Sequence, residues 1–248
     1  MVEKTTAAIL VDTNQPLQLL EIELPELKSG QVVVDVSYAG ICRSQLMEVK
    51  GLKGKDPYLP HALGHEGAGV VTRVGPDVTK VVPGDAVVLS WIKGSGITVA
   101  STQYQSEIGT INSGALACFM GKTVTCESCV VPIPKDMPPK LACLMGCAIP
   151  TGAGVAMNHI HDASQTVAIF GVGGIGLSAV LGSKMLGLKQ IIAVDILNQK
   201  LQVADQSGAT AIINAGEQDP VAAIRDLTGG KGVDFSIDDK QKIAASLD

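Results

Sequence analysis

Two kinds of hydrophobic pattern divide the chain near residue 151. Before it, short apolar runs end at turn residues, and residues 31–38 place Val32, Val34 and Val36 on one side of a strand. Further strands are predicted at residues 70–74, 86–89 and 129–131, with turns at Gly75-Pro76 and Pro83-Gly84 between them. This pattern predicts an antiparallel, barrel-like β domain over residues 1–152.

Beyond this point, strands alternate with helices. Strands are predicted at residues 166–170, 190–194, 210–213 and 233–237, and helices at residues 175–186, 198–206 and 219–227. The alternation indicates α/β structure with a parallel, doubly wound sheet over residues 153–248. A dinucleotide-binding sheet commonly has about six strands. Since the pattern gives fewer before Asp248, which it places within a helix, we expect this domain to be incomplete.

Composition and charge restrict the class of protein. The content of 46% hydrophobic and 17% charged residues is typical of a globular chain with an aliphatic core. A net charge of -5 without a basic patch argues against a nucleic-acid partner. Six cysteines in a chain of this length do not form a disulfide scaffold. The N-terminus lacks the pattern of a secretory signal, so we expect a cytoplasmic protein with reduced thiols.

Two uncharged stretches, residues 141–158 and 166–183, invite a comparison with membrane spans. Both contain several glycines, the first also contains Pro150, and no Lys/Arg cluster flanks either one. A spanning helix needs about 20 mainly apolar residues. We therefore expect no membrane association.

The second stretch contains a phosphate-binding motif. Its residues are Gly171-Val172-Gly173-Gly174-Ile175-Gly176, which match G-x-G-x-x-G between a predicted strand and a predicted helix. Gly171 permits a tight turn, Gly173 lets a pyrophosphate approach the backbone, and Gly176 allows close packing of helix and strand. The free N–H groups and dipole of the helix favour a phosphate. This context predicts a dinucleotide site, although a glycine-rich turn alone is the simpler alternative.

The cofactor preference depends on Asp195 at the end of the next predicted strand. A carboxylate there would accept hydrogen bonds from the ribose hydroxyls and would repel a 2′-phosphate. The sequence therefore predicts NAD rather than NADP. Residues 196–198 could also contribute, which leaves NADP open.

Three side chains of metal-ligand type lie far apart along the chain: Cys42, His65 and Cys147. Spacing alone does not unite them, and each alone is more often a packing or hydrogen-bonding residue. Two thiolates and one imidazole nevertheless suit zinc and leave a fourth position for water or substrate. Together they predict a catalytic zinc site.

The order of these segments resembles the medium-chain, zinc-type alcohol dehydrogenases. The matching segments are Cys42-Arg43-Ser44, Gly64-His65-Glu66, residues 147–152 and residues 171–176. The resemblance implies a GroES-like catalytic domain with zinc and a Rossmann domain that binds NAD. It also implies hydride transfer between NAD(H) and a small alcohol, aldehyde or ketone, and a homo-oligomer in a full-length chain.

The resemblance also assigns roles by position. Cys42, His65 and Cys147 would bind zinc, with Glu66 as a neighbouring or transient ligand. Ser44 would take the alcohol proton, so that the expected catalytic residues are Ser44, Glu66 and Thr151. Trp91 matches an aromatic position of the substrate pocket. The expected cofactor-binding residues are Arg43 at the pyrophosphate, Thr151 and Ile175 at the nicotinamide, Lys200 at the adenosine ribose, and Gly171, Gly173, Gly174, Gly176 and Asp195.

The chain departs from the family in three features, of which the first is the expected incompleteness of its dinucleotide-binding domain. Residues 94–114 contain none of the four cysteines of a structural zinc lobe, so we expect a polar loop and one catalytic zinc only. Cys126 and Cys129 form C-x-x-C within a predicted β segment, and their spacing would place them on opposite faces of a strand. We therefore interpret both as packing residues. Gln45 and Met47 stand where relatives often have an acidic residue and a relay histidine.

Two other functions remain open at this point. One is a zinc-free quinone or enone reductase of the same superfamily, which the three retained ligands disfavour. The other is a truncated, non-catalytic module that binds nucleotide. The sequence does not identify the alcohol, although residues 92–114 are expected to shape its pocket.

Overall fold

The computed structural model describes residues 2–238 and 242–245. It divides into two compact units, Met1–Cys147 and Ala148–Asp248. Helix α3 (Ala148–His159) belongs to the second unit and crosses the boundary expected after residue 152. Gly152 explains this assignment, because its backbone packs against the side chain of Ser178 within the second unit.

The first unit combines a small closed barrel with a second, open sheet. Its elements are β1 (Lys4–Leu10), β2 (Gln18–Glu23), β3 (Gln31–Ala39), α1 (Arg43–Val49), β4 (His61–Ala62), β5 (Glu66–Val74), β6 (Ala86–Ser90), β7 (Gln103–Ser106), β8 (Gly109–Ser113), β9 (Lys122–Cys126), β10 (Val130–Pro132) and α2 (Pro139–Ala142). The barrel has the order β1-β2-β7-β8-β4, and the sheet has the order β10-β6-β5-β3-β9. The predicted barrel-like β domain is confirmed.

Strand β3 is covered on both faces. Val32 and Val34 are buried in one apolar cluster, and Val36 packs against the same cluster, as the alternation predicted. Val33 points the other way and is buried in the barrel cluster. The strand also pairs with β5 on one edge and β9 on the other, so it anchors the strands that lead to the site.

The prediction of a polar loop over residues 94–114 is wrong for its second half. Residues 103–113 form the antiparallel hairpin β7–β8. Tyr104 and Ile111 pair across it, and both side chains are fully buried in the barrel. Polar residues alternate with these two apolar ones, which hid the short strands in the sequence pattern.

The second unit contains a mainly parallel sheet with helices. Its remaining elements are β11 (Thr166–Phe170), α4 (Gly174–Met185), β12 (Gln190–Asp195), α5 (Asn198–Ser207), β13 (Ala211–Asn214), α6 (Pro220–Leu227), β14 (Phe235–Asp238) and β15 (Lys242–Ala245). The sheet order is β13-β12-β11-β14-β15, and β15 alone is antiparallel to its neighbour. Apolar clusters lie on both faces of the parallel strands. The predicted doubly wound sheet is confirmed.

The last part of this unit agrees with the sequence prediction at helix α6 and differs from it at strand β15. Asp219 caps α6 as expected, and its side chain accepts a hydrogen bond from the Val221 N–H at 3.1 Å. The helix predicted around Asp248 lies outside the described residues, but residues 242–245 just before it form strand β15.

In the described part of the chain, no single helix is long and apolar enough to cross a membrane. Pro139–Gly146 and Ala148–His159 meet that criterion of length and composition only when taken together as a broken pair.

Candidate zinc and dinucleotide sites

Cys42 stands at the start of helix α1. Its backbone is extended, with φ of -91° and ψ of 147°, and its N–H donates to the Gln45 side-chain oxygen at 3.1 Å. Gln45 is 3% exposed, so this bond is shielded from water. The glutamine noted as a departure in the proton relay therefore holds the turn that presents the Cys42 thiol.

His65 lies in the sharp connection between β4 and β5. The preceding residue, Gly64, has φ of +105°, and a Cβ there would lie 2.6 Å from the Cys118 nitrogen, so only glycine fits. Burial lowers the pKa of His65, which favours the neutral imidazole that binds metals. Among the described residues, the buried His65 Nε2 atom has no hydrogen-bond partner.

Cys147 follows the 3₁₀ segment Cys143–Gly146. The Gly146 carbonyl accepts a hydrogen bond from the Ser90 hydroxyl at 2.8 Å. A Cβ at Gly146 would collide with the Leu89 carbonyl and would lie 2.8 Å from the Glu66 Cα. Glycine is required here because the segment approaches β5 and β6 closely, and this approach positions Cys147.

The fold brings Cys42, His65 and Cys147 together. One ligand atom from each lies within 4.8 Å of the other two. Cys147 is buried, whereas Cys42 and His65 are partly exposed. Within the described residues, this is the one group of three or more such side chains that could hold a metal ion. Two sulfur donors and one imidazole, whose buried Nε2 atom has no hydrogen-bond partner among the described residues, fit zinc.

Two further side chains border this group. Glu66 is 2% exposed and packs over Gly40, where a Cβ would lie 2.5 Å from the Glu66 Oε1 atom. The Trp91 ring lies edge-on to the His65 ring, with 6.3 Å between centroids, and the Trp91 N–H donates to the His65 carbonyl at 3.2 Å. Trp91 therefore lies beside the candidate zinc ligands.

A cavity of about 560 Å³ in the first unit reaches His65. Its wall includes Gln45, Ser101 and Asn112, and also two hydrogen-bonded pairs of titratable side chains. Lys53 binds Glu48 at 2.6 Å, and His61 binds Asp56 at 2.7 Å. Sequence reasoning assigned no role to His61 and missed this wall, because no motif marks the segment between residues 48 and 61.

The glycines of the phosphate motif differ in their surroundings. Gly171 has φ of +81°, and its N–H donates to the Val194 carbonyl at 2.8 Å. A Cβ at Gly176 would collide with the Gly171 carbonyl, whereas a Cβ at Gly173 or Gly174 would meet no atom within 4 Å among the described residues. The first two fix the turn, and the other two leave open backbone at the start of α4.

Asp195 ends β12 beside this turn. Its carboxylate accepts hydrogen bonds from the Val172 N–H at 3.0 Å and the Leu197 N–H at 3.1 Å. The Lys200 ammonium lies 3.7 Å from the same carboxylate. Asp195 and Lys200, which the sequence linked to the cofactor ribose, thus meet beside the glycine turn at the carboxyl end of the strands, where dinucleotides bind in such sheets.

The remaining predicted site residues fall into the two units separately. In the first unit, Arg43 is exposed and Ser44 is half-buried, both in the first turn of α1. In the second unit, Thr151 lies in α3 and Ile175 in the first turn of α4. The roles predicted for these four residues stay predictions.

The prediction that Cys126 and Cys129 lie on opposite faces of a strand is wrong. Strand β9 ends at Cys126, and residues 127–129 form a 3₁₀ turn. The turn reverses the second side chain, so that the two sulfur atoms lie 3.2 Å apart.

Comparison with known proteins identifies the family. Residues 28–135 match the model of the alcohol dehydrogenase GroES-like domain, and residues 174–239 match that of zinc-binding dehydrogenase. The chain is 33% identical to S-(hydroxymethyl)glutathione dehydrogenase of Saccharomyces cerevisiae, over 95% of this chain and 69% of that protein. The chain belongs to the medium-chain, zinc-type alcohol dehydrogenase family.

Solved structures of this family have the same fold. An alcohol dehydrogenase zinc-binding domain protein from Burkholderia ambifaria superposes with a TM-score of 0.88 at 30% identity, covering 96% of this chain and 71% of that one. Benzyl alcohol dehydrogenase from Acinetobacter calcoaceticus gives a TM-score of 0.83 at 30% identity, covering 97% and 72%. The family consists of oxidoreductases, and the chain spans about 70% of the length of these medium-chain relatives.

Proposed function

We propose that this chain is a zinc-dependent, NAD-linked alcohol dehydrogenase that interconverts an alcohol with its aldehyde or ketone. The observation that carries the proposal is the convergence of Cys42, His65 and Cys147, whose ligand atoms lie within 4.8 Å of one another. Two thiolates and one imidazole are the ligand set of an open, catalytic zinc site.

Zinc, when bound there, supplies a Lewis acid that lowers the pKa of a hydroxyl group, as it lowers that of water to about 7. Gln45 contributes by fixing the Cys42 turn, and Gly146 contributes by allowing Cys147 to approach β5. Glu66 is buried beside Gly40, and we assign it as a neighbouring group of the metal ligands.

Ser44 is the residue to which we assign the hydroxyl proton. NAD⁺, when bound, would accept a hydride from the carbon that bears this hydroxyl, so that an alcohol and NAD⁺ would give a carbonyl compound, NADH and a proton. Thr151 and Ile175 are assigned to the nicotinamide, and they would hold it in position without taking part in the hydride transfer. Met47 cannot carry a proton, so the proton would pass from Ser44 to solvent through water or another group.

The second unit supplies the cofactor site. The open backbone at Gly173 and Gly174 would receive the pyrophosphate at the N-terminus of α4, with Arg43 as a further cation. Asp195 and Lys200 are assigned to the adenosine ribose. A buried carboxylate at this position would repel a 2′-phosphate, which favours NAD over NADP.

The cavity beside His65 suits a small substrate. Its volume of about 560 Å³ is within the usual range for small-molecule sites, roughly 300–1,000 Å³. The amides and the Lys53–Glu48 ion pair in its wall offer hydrogen-bonding groups to a substrate, next to the apolar side chains of Leu63 and Leu116.

The decisive experiment measures zinc per chain by elemental analysis, on protein purified without added metal, together with alcohol-dependent NAD reduction. We expect about one zinc per chain. Cys42→Ala is expected to lose zinc and activity together. Cys143→Ala is the matched control, because this buried thiol lies near Cys147 but outside the ligand group.

Other results would overturn parts of the proposal. Near-normal turnover of Cys42→Ala without zinc would contradict the zinc mechanism. NADH binding without any alcohol-dependent turnover would favour a non-catalytic nucleotide-binding module. A value near two zinc ions per chain would contradict the single site.

A further inference from the structure

Cys126 and Cys129 form a close thiol pair outside the candidate zinc site. Cys126 is the last residue of β9, and the 3₁₀ turn Glu127–Cys129 brings Cys129 back beside it. Their sulfur atoms lie 3.2 Å apart. The Ser128 hydroxyl also lies 3.2 Å from the Cys126 sulfur. A disulfide bond is about 2.05 Å long, so a displacement of roughly 1 Å would join them.

The turn that carries the pair is held firmly. Glu127 is 1% exposed, and one of its carboxylate oxygens accepts the N–H groups of Thr79 and Lys80, each at 2.6 Å. The other oxygen accepts the Ile97 N–H at 2.9 Å. These bonds tie the turn to two neighbouring loops and keep the two sulfur atoms together.

The two thiols are not chemically equivalent. A hydrogen bond from the Cys129 thiol, aided by the Ser128 hydroxyl and by the Val99 N–H, outweighs burial and lowers the pKa of Cys126. The same bond, together with burial and the charge on Cys126, raises the pKa of Cys129. Because the Ser128 hydroxyl and the Cys129 thiol both lie 3.2 Å from the Cys126 sulfur, we assign Cys126 as the nucleophile and Cys129 as its protonated partner.

Burial restricts the oxidant that can reach the pair. Cys126 is 2% exposed and Cys129 is fully buried. A peptide-sized disulfide such as oxidised glutathione cannot align its sulfur atoms with a buried thiolate, so we expect only an oxidant close to the size of water to react with the pair.

We propose that Cys126 and Cys129 are a redox-modification site that hydrogen peroxide converts into a disulfide. The Cys126 thiolate attacks one peroxide oxygen, the O–O bond breaks, and one water molecule leaves after proton uptake. This gives a sulfenic acid on Cys126. The Cys129 thiol then attacks this sulfur, the S–O bond breaks, and a second water leaves. In sum, two thiols are oxidised to one disulfide and one peroxide is reduced to two waters.

This site is independent of the proposed dehydrogenase activity, because neither cysteine belongs to the candidate metal group. Trypsin separates it cleanly from the other thiols. Residues 123–135 lie between Lys122 and Lys135 and contain only these two cysteines, while residues 94–122 contain only Cys118. Cys118 is buried as well, but burial raises its pKa, which makes it a matched control.

The experiment exposes the folded, full chain to hydrogen peroxide or to oxidised glutathione, then alkylates the remaining thiols in denaturant and digests with trypsin. With peroxide, we expect the 123–135 peptide to lose two hydrogen atoms and to escape alkylation. This should occur roughly tenfold faster or more than any oxidation of the Cys118 peptide, because the thiolate is the reactive form. After exposure to oxidised glutathione, the cysteines of both peptides should still be free and should all be alkylated.

Three outcomes would overturn the proposal. These are full alkylation of the 123–135 peptide after peroxide, equal oxidation of the Cys118 peptide, and equal reaction with oxidised glutathione.

The order of the steps is tested with single variants. Cys129→Ser should accumulate a sulfenic acid on Cys126 that dimedone traps, and Cys126→Ser should give no adduct on Cys129. The reverse labelling would contradict the assignment of the nucleophile.

Discussion

The carboxylate of Asp195 accepts a hydrogen bond from the Val172 N–H at 3.0 Å, which joins the end of β12 to the glycine turn after β11. Its other oxygen accepts from the Leu197 N–H, and the side chain is only 5% exposed. The residue proposed to meet the ribose therefore also shapes the phosphate turn. The same two carboxylate oxygens of Asp195 would therefore serve both roles.

Replacement of Asp195 by asparagine should weaken both the glycine turn and the binding of the cofactor. The amide keeps one acceptor oxygen and loses the other, so one buried N–H is left unpaired, at a cost of about 1–3 kcal/mol. We expect lower thermal stability and NADH binding weakened by roughly tenfold or more. Fluorescence titration with NADH and thermal unfolding measure the two effects.

Asp205→Asn is the control for this change. Asp205 is exposed on α5, so both its stability and its NADH affinity should match the unsubstituted chain. Unchanged NADH affinity in Asp195→Asn would contradict the role assigned to this carboxylate.

Two glycines of the same motif should respond in opposite ways to alanine. A Cβ at Gly176 would collide with the Gly171 carbonyl, and overpacking of this kind costs about 1–3 kcal/mol. A Cβ at Gly174 meets open space, and alanine in a helix is favoured over glycine by about 0.5–1 kcal/mol. Gly176→Ala should therefore unfold at lower denaturant concentration than Gly174→Ala, and equal midpoints would show that helix α4 does not need this close approach.

Glu127 should make the stability of the first unit depend on pH. Burial alone would raise the pKa of this carboxyl, but the N–H groups of Ile97, Thr79 and Lys80 outweigh it, and the net effect is a lowered pKa. The ionised form therefore stabilises the fold above the unfolded pKa of about 4.3, and this stabilisation is lost as pH falls through the lower folded pKa. Glu127→Gln should lower the free energy of unfolding by about 2 kcal/mol or more at neutral pH.

Urea unfolding at several pH values checks this effect. The difference between the unsubstituted chain and Glu127→Gln should shrink as the medium becomes acidic. Glu107→Gln, at the exposed turn between β7 and β8, should behave as the unsubstituted chain at every pH. A difference that stays constant down to acid pH would show that lost packing, rather than lost charge, causes the destabilisation.

Gly146 should control zinc retention. A Cβ there would collide with the Leu89 carbonyl and with Glu66, so Gly146→Ala must displace the segment that presents Cys147. If zinc binds as proposed, this variant should lose most of it while remaining folded, as measured by elemental analysis and circular dichroism. Gly94→Ala, where a Cβ would approach no described atom closer than 3.7 Å, should keep its zinc. Full zinc content in Gly146→Ala would show that metal binding does not depend on this close approach.

The sequence alone determined the features that depend on local pattern. The alternation of strands and helices after residue 151 predicts the doubly wound sheet, because the spacing of apolar residues in each element indicates which of its faces is buried. Residues 171–176 predict a phosphate-binding turn, since adjacent residues form its geometry. Asp219 likewise caps α6 through atoms two residues apart.

Only the tertiary structure decided the relationships between distant or irregular segments. Cys42, His65 and Cys147 meet because three separate connections converge, and no local period encodes that convergence. Tyr104 and Ile111 form a hairpin because the barrel gives them an interior to fill. Cys126 and Cys129 face each other because a 3₁₀ turn replaces the expected strand, and that turn is held by N–H groups from loops far away in sequence, which bind Glu127.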